Sequence, residues 1–296
     1  MEKADDAKIA NGHAIDPDAT AESINESTKS KFALIGEKSW SIDLSDDKPR
    51  GIVPSRCRDP EEEPLSDWAV FTTGPLLSPE ECQTWIKKAE HVNLETGDFI
   101  FIFKTGLKGY ERMKTGGRRH SSTTIIEDPY FAQRVDTLLQ GPDSYVPMKL
   151  SNGMEFKGVR NTFLLSRYYP GQYFAPHFDG QLVAAAREPL AGSLSQFTCV
   201  LYLSDDFEGG ATLYLPGTND DNTHWSEVQK PAALRPKPGC GCIHRQGTVI
   251  HSGAKVLSGV KYIIQFGLMY QYANEDDDGE VKTAPSNQTD IFRWAA

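Results

Sequence analysis

The chain contains a single His-x-Asp, at His177-Phe178-Asp179, reached through Tyr168-Tyr169-Pro170-Gly171-Gln172 and the apolar run Tyr173-Phe174-Ala175-Pro176. In an extended strand, residues two apart project to one face, so the imidazole and the carboxylate can reach one ion while Phe178 turns into the core. A third donor, His251, ends a second apolar run, Thr248-Val249-Ile250. Lys261 lies inside a third, Val260-Lys261-Tyr262-Ile263-Ile264-Gln265-Phe266, where an ammonium is tolerable only beside an anionic partner. Each feature has a plainer account when taken singly. His-x-Asp pairs often sit on turns, and a lysine can guard a sheet edge against aggregation. It is the conjunction that points to chemistry.

Two histidines and one carboxylate form the facial triad of non-haem Fe(II) oxygenases, which leaves three coordination positions open. A keto acid can chelate through two oxygens, with a place left for dioxygen. Its far carboxylate then lies among apolar strands and requires a fixed cation, the part that suits Lys261. The stretch Cys240-Gly241-Cys242-Ile243-His244 offers zinc ligands, but no second pair stands at a suitable spacing, so a structural zinc site is disfavoured.

The elements around these residues are short. Ala69-Val70-Phe71 reads as a strand, and Ser78-Pro79-Glu80-Glu81 as a helix start with an N-cap serine, proline at N1 and acids in the first turn. A second helix is predicted over 129–139, with Phe131, Val135 and Leu138 on one side. After Val159 the pattern becomes short strands separated by glycine and proline turns: 162–169, 197–203, 211–215, 248–251 and 260–270. Many short strands after helices predict a β-sandwich buttressed by helices. Residues 1–62, polar and acidic, read as an extension that docks without forming a domain. Residues 63–273 read as the catalytic domain and 274–296 as a loose tail.

At 296 residues and 39% hydrophobic the chain can bury a large core, and its net charge of −10 argues against a sequence-independent hold on nucleic acid or anionic membrane. Met1–Thr20 lacks a basic region followed by an apolar stretch, and the five scattered cysteines suit reduced thiols, so a cytoplasmic protein is expected.

Over about 68–270 the chain resembles the prolyl hydroxylase-like branch of the 2-oxoglutarate and Fe(II)-dependent dioxygenases. The likeness rests on several motifs in that family's order. They are Leu76-Leu77-Ser78-Pro79-Glu80-Glu81-Cys82, Tyr-x-Pro-Gly-Gln ahead of His177-x-Asp179, Tyr202-Leu203-Ser204, Gly209-Gly210-Ala211-Thr212, Pro238-x-x-Gly241, and His251 with Lys261. The resemblance implies a mainly β fold with flanking helices, a double-stranded β-helix or jelly roll. It also implies Fe(II) on His177, Asp179 and His251, and 2-oxoglutarate on Lys261. Thr212 and one of Tyr168, Tyr169 or Tyr202 would add hydroxyl contacts to the keto acid. Gly267, where relatives often place a tryptophan, and the insert Gln181–Ser195 depart from the family pattern and bear on the shape of the substrate pocket.

The expected activity is hydroxylation or another oxidation of an unactivated C–H of a small molecule of the amino-acid class. Succinate and CO2 would be released, with O2 as co-substrate and ascorbate as a candidate reductant. A cytosolic protein prolyl hydroxylase is the alternative, and a catalytically silent jelly-roll binding protein or a cupin-type dioxygenase stands further off. Arg119, in the basic spot 116–120, and Arg160 and Trp225 are the candidate substrate contacts.

Overall fold

The apolar runs broken by glycine, proline and polar turns become fifteen strands and two helices in the computed structural model, which describes residues 40–55, 68–96, 119–186, 188–217 and 226–273. The strands are β1 (Arg50–Pro54), β2 (Trp68–Thr72), β3 (Arg119–His120), β4 (Ser122–Glu127), β5 (Met154–Val159), β6 (Thr162–Tyr168), β7 (Tyr173–His177), β8 (Leu194–Tyr202), β9 (Phe207–Gly209), β10 (Thr212–Leu215), β11 (Ala232–Leu234), β12 (Gly241–Arg245), β13 (Ile250–Gly253), β14 (Val256–Gly259) and β15 (Lys261–Tyr272). The helices are α1 (Pro79–Thr96) and α2 (Pro129–Leu139). The expected N-terminal segment up to residue 39, the acidic cluster at 59–63, Trp225 and the tail from Asn274 lie outside the described residues.

One sheet runs β1-β2-β12-β8-β15-β6-β4, with β5 also on β15, and a second runs β11-β10-β13-β7-β3. From β6 onward the chain crosses back and forth between them: β6, β8, β12 and β15 join the major sheet, while β7, the hairpin pair β10 and β11, and β13 join the minor one. Every pairing between these strands is antiparallel. Two four-stranded antiparallel layers filled in this order make a jelly roll, which is the fold class the family resemblance implies and a specific form of the β-sandwich the strand pattern predicts.

Alternation along each major-sheet strand sets what it packs against. On β15, Ile264, Phe266, Leu268 and Tyr270 join one core with the helices, while Ile263 joins the core between the two sheets. In the outer core Phe131 of α2 meets Phe163 of β6 edge-on at 4.8 Å and Trp85 of α1 at 5.4 Å. Both helices begin as their sequences dictate. Ser78 Oγ accepts from Glu81 N while Glu81 accepts from Ser78 N, a complete capping box. Asp128 caps α2 by accepting from Tyr130 N and Phe131 N.

At the end of α2 the register differs from expectation: Leu138 is exposed, and Leu139 is buried in its place. Counting on from Phe131 and Val135 by four rather than three residues keeps the stripe facing the sheet. Within the segment read as an extension, β1 pairs antiparallel with β2 at the edge of the major sheet, and Ala233 N donates to the Trp40 carbonyl. Among the described residues no helix is long and apolar enough to cross a membrane.

Candidate metal centre

His177 is the last residue of β7, which follows a tight turn in which Gln172 N donates to the Tyr169 carbonyl. Gly171 has φ +88° there, a conformation that costs a residue without Cβ little. His251 stands directly opposite His177 on the neighbouring strand β13, and the two rings lie 4.2 Å apart. Phe174 stacks on the His177 ring, centroid to centroid at 3.6 Å. Each imidazole donates through Nδ1 to the backbone carbonyl two residues before it, His177 to Ala175 at 2.8 Å and His251 to Val249 at 3.2 Å. These acceptors set the tautomer and leave both Nε2 lone pairs free to bind a cation.

Asp179 arrives by a different route from the one strand alternation suggests. The strand ends at His177, so Phe178 does not turn into the core but is 36% exposed, and Asp179 sits in irregular chain beyond it. Its main-chain carbonyl accepts from Gly247 N, and its side chain is wholly buried beside the histidines. His177 Nε2 is 3.4 Å from Asp179 Oδ1 and His251 Nε2 is 3.6 Å from Oδ2. One potential ligand atom from each of the three residues lies within 4.8 Å of the others. His177 Nε2, His251 Nε2 and Asp179 Oδ1 are also buried without a hydrogen-bond partner. Three orphaned acceptors converging on one point are costly unless a cation satisfies them, and two imidazoles with one carboxylate oxygen fit Fe(II).

Burial holds His251 well below the usual histidine range, helped by His244 and His177 beside it, so the ring is neutral and able to ligate. Burial pushes the Asp179 carboxyl up, but hydrogen bonding within the site, the His244 imidazole included, holds the group well below the usual carboxylate range.

Sequence reasoning missed the groups that hold Asp179. Thr198 Oγ1 donates to Asp179 Oδ2 at 2.6 Å, and His244 Nε2 lies 3.2 Å from the same oxygen. Behind Thr198 stand Gln246 Nε2, donating to its hydroxyl, and Ser195, donating to Gln246 Oε1. Ser195 Oγ in turn accepts from Leu182 N in the insert. The available signal was alternation in Cys242-Ile243-His244: Ile243 joins the outer core and Cys242 the inner one, so His244 must face inward as well.

Lys261 is buried at the start of β15, across from Tyr168, whose ring lies 5.6 Å from the ammonium. Its Nζ donates to the Gly210 carbonyl at 2.6 Å and to the Tyr202 hydroxyl at 3.2 Å. Gly210 presents that carbonyl at φ +67°, where an added Cβ would press within 2.9 Å of the Phe207 ring. Tyr202 Oη also lies 2.8 Å from Thr212 Oγ1, so Lys261, Tyr202 and Thr212 form one buried cluster. Thr212 is two residues before Tyr214, and Tyr214 pairs with His251, which puts the cluster along the same strand face as the triad. Tyr169, by contrast, packs under the Arg167 guanidinium.

Of the candidate substrate contacts, Arg119 comes near the triad. Its guanidinium lies 4.8 Å from the ring of Phe174, the residue that stacks on His177, and it donates to Ser121, Ser166 and Gln265, all neutral. Arg160 instead makes two 2.8 Å hydrogen bonds to Glu188 and so holds the insert, its charge already met by a carboxylate.

No family model matches the chain. It is 28% identical over 204 residues to prolyl 4-hydroxylase 1 of Arabidopsis thaliana, a match covering 65% of this chain and 66% of that protein, just under two thirds of the relative's length. Among solved structures, a Pseudomonas putida prolyl-4-hydroxylase matches with 15% identity and TM-score 0.42 over 68% of this chain and 92% of its own. A viral collagen prolyl hydroxylase from Paramecium Bursaria Chlorella virus-1 matches with 17% identity and TM-score 0.38 over 70% and 99%. A Trichoplax adhaerens prolyl hydroxylase, solved with a hypoxia inducible factor peptide fragment, matches with 14% identity and TM-score 0.42 over 68% and 83%.

Proposed function

We propose that this protein is a Fe(II)- and 2-oxoglutarate-dependent oxygenase, with His177, Asp179 and His251 holding the metal. The observation that carries the reading is the convergence of three buried, unpartnered acceptor atoms, one from each residue, with both histidine tautomers already set for ligation. The likeness to a plant prolyl 4-hydroxylase supports it. When bound, iron and dioxygen supply the oxidising chemistry by which 2-oxoglutarate, O2 and a C–H substrate become succinate, CO2 and the hydroxylated product. Ascorbate is the proposed reductant that keeps the metal ferrous.

The protein's part is placement. Lys261 offers a charge-assisted hydrogen bond to the far carboxylate of the keto acid, Tyr202 and Thr212 offer hydroxyls beside it, and Tyr168 closes one side with its ring. Burial of this cluster keeps water away from the charge it would bind.

For the substrate, the buried Arg119 guanidinium, with three neutral partners, supports a small molecule that offers a carboxylate, such as an amino acid or a metabolite derived from one. The name of the plant relative supports a second reading, a prolyl residue in a protein, which would present main-chain carbonyls to the same cation.

The test is anaerobic titration of the apo protein with Fe(II) and then 2-oxoglutarate, monitored by the weak visible charge-transfer band of the chelate. The band should form in wild type and be lost in His177→Ala and Lys261→Ala. Iron binding without a band at saturating keto acid would point to keto-acid-independent dioxygenase chemistry, and absence of iron binding would point to a silent fold. Succinate release with free amino acids against prolyl peptides then separates the two substrate classes.

A further inference from the structure

A third buried histidine faces the triad from the opposite sheet. His244, on β12, is fully buried, and its ring lies 4.0 Å from that of His251. Its Nδ1 is 3.1 Å from the Tyr214 hydroxyl and its Nε2 is 3.2 Å from Asp179 Oδ2. An ionised carboxylate can only accept, so the Nε2 hydrogen points at Asp179, and in the neutral ring Nδ1 then accepts from Tyr214. Thr198 donates to the same carboxylate oxygen at 2.6 Å. Oδ2 thus receives two hydrogen bonds, while Oδ1 receives none and faces the Nε2 of His177 at 3.4 Å.

We infer that His244 is a positioning residue that, with Thr198, makes Asp179 a one-oxygen ligand. A carboxylate free to rotate can present both oxygens to a cation and use up a coordination position that a chelating co-substrate needs. Two donors fixed on Oδ2 from the major sheet prevent that rotation. The Tyr214 hydroxyl locks the tautomer that makes His244 a donor here rather than a competing ligand, since the nitrogen nearest the site carries the proton. This inference rests on the metal reading above and adds the reason one face of the ion would stay open.

The test uses Co(II) as the probe, read by calorimetric affinity and by the visible d–d bands, with no turnover needed. His244→Phe keeps a buried ring but removes the donor. It should weaken Co(II) binding by about 10- to 100-fold, the usual consequence of losing a partner of a metal ligand, and should alter the d–d bands as Asp179 turns. His244→Gln places an amide N–H near the position of Nε2 and should recover binding to within roughly a few-fold of wild type. Circular dichroism of the apo proteins checks folding; if His244→Phe does not fold, Thr198→Val removes the other donor and should shift the bands in the same direction. Wild-type affinity and bands in both donor-less variants would overturn the inference and leave the metal reading standing, as would a His244→Gln protein as weak as His244→Phe. Failure of wild type to bind Co(II) at all would overturn the metal reading and this inference with it.

Discussion

The two faces of the major sheet are built from the same strands yet have opposite characters. Toward the helices it presents Phe163, Leu165, Phe197, Cys199, Leu201, Ile243, Ile264, Phe266 and Leu268, a continuous apolar core. Toward the minor sheet the alternating positions include Ser166, Thr198, Tyr202, His244, Lys261 and Gln265, all buried and most of them tied into hydrogen bonds. A period of two therefore separates what holds the fold together from what prepares the site. The outer face gains free energy from area removed from water. The inner face gives some of that up to hold polar groups in fixed places, which is tolerable because the outer face is well packed.

The sharpest way to break this comparison is to damage the outer face alone. Phe163→Ala removes a fully buried ring that Phe131 and Phe266 contact edge-on, and should cost about 3–5 kcal/mol of stability, measured by urea unfolding of the apo protein. Metal affinity of the folded fraction should stay at the wild-type value. A parallel fall in both would mean that the faces are coupled.

An inner-face change should behave in the opposite way. Lys261→Met keeps the length of the side chain and removes the ammonium, and 2-oxoglutarate binding should weaken roughly 10- to 100-fold, as expected for a lost hydrogen bond to a charged group. The stability loss should be smaller than for Phe163→Ala, because the donor lost to the Gly210 carbonyl is offset by relief from burying a charge. Anaerobic titration with the keto acid and urea unfolding separate the two effects.

The smallest effect lies on the surface between the helices, where Glu81 pairs with Arg134 and accepts from Ser78 N. These bonds, Arg134 foremost, lower the Glu81 carboxyl from 4.5 to about 2. A depressed folded-state value stabilises the protein above the unfolded value of 4.5 and is lost as pH falls toward about 2. Both side chains are more than a third exposed, so screening limits the contribution to a few tenths of a kcal/mol. The stability difference between wild type and Glu81→Gln should be flat near neutrality and shrink through that acidic window; a difference that grows on acidification would reverse the assignment.

Local features were legible because they depend on neighbours in the chain. The N-cap at Ser78, the helix that begins at Pro129 and the glycine-containing turn before His177 all follow from backbone geometry and short-range hydrogen bonding. The same local reasoning failed where an element stopped: alternation put Phe178 in the core, but β7 ends one residue earlier, and Asp179 is held by Gly247, Thr198 and His244 instead.

By itself the sequence determined the donor types, the His-x-Asp spacing, a buried lysine in an apolar strand and the β-sandwich pattern of short strands. Only the tertiary structure decided that His251 pairs with His177, that Tyr202 rather than Tyr169 meets Lys261, that Arg160 is spent on Glu188, and that His244 faces Asp179 from the other sheet. The reason is physical: spacing along a strand sets which face a side chain takes, but which face meets which is set by long-range strand pairing between segments far apart in the chain.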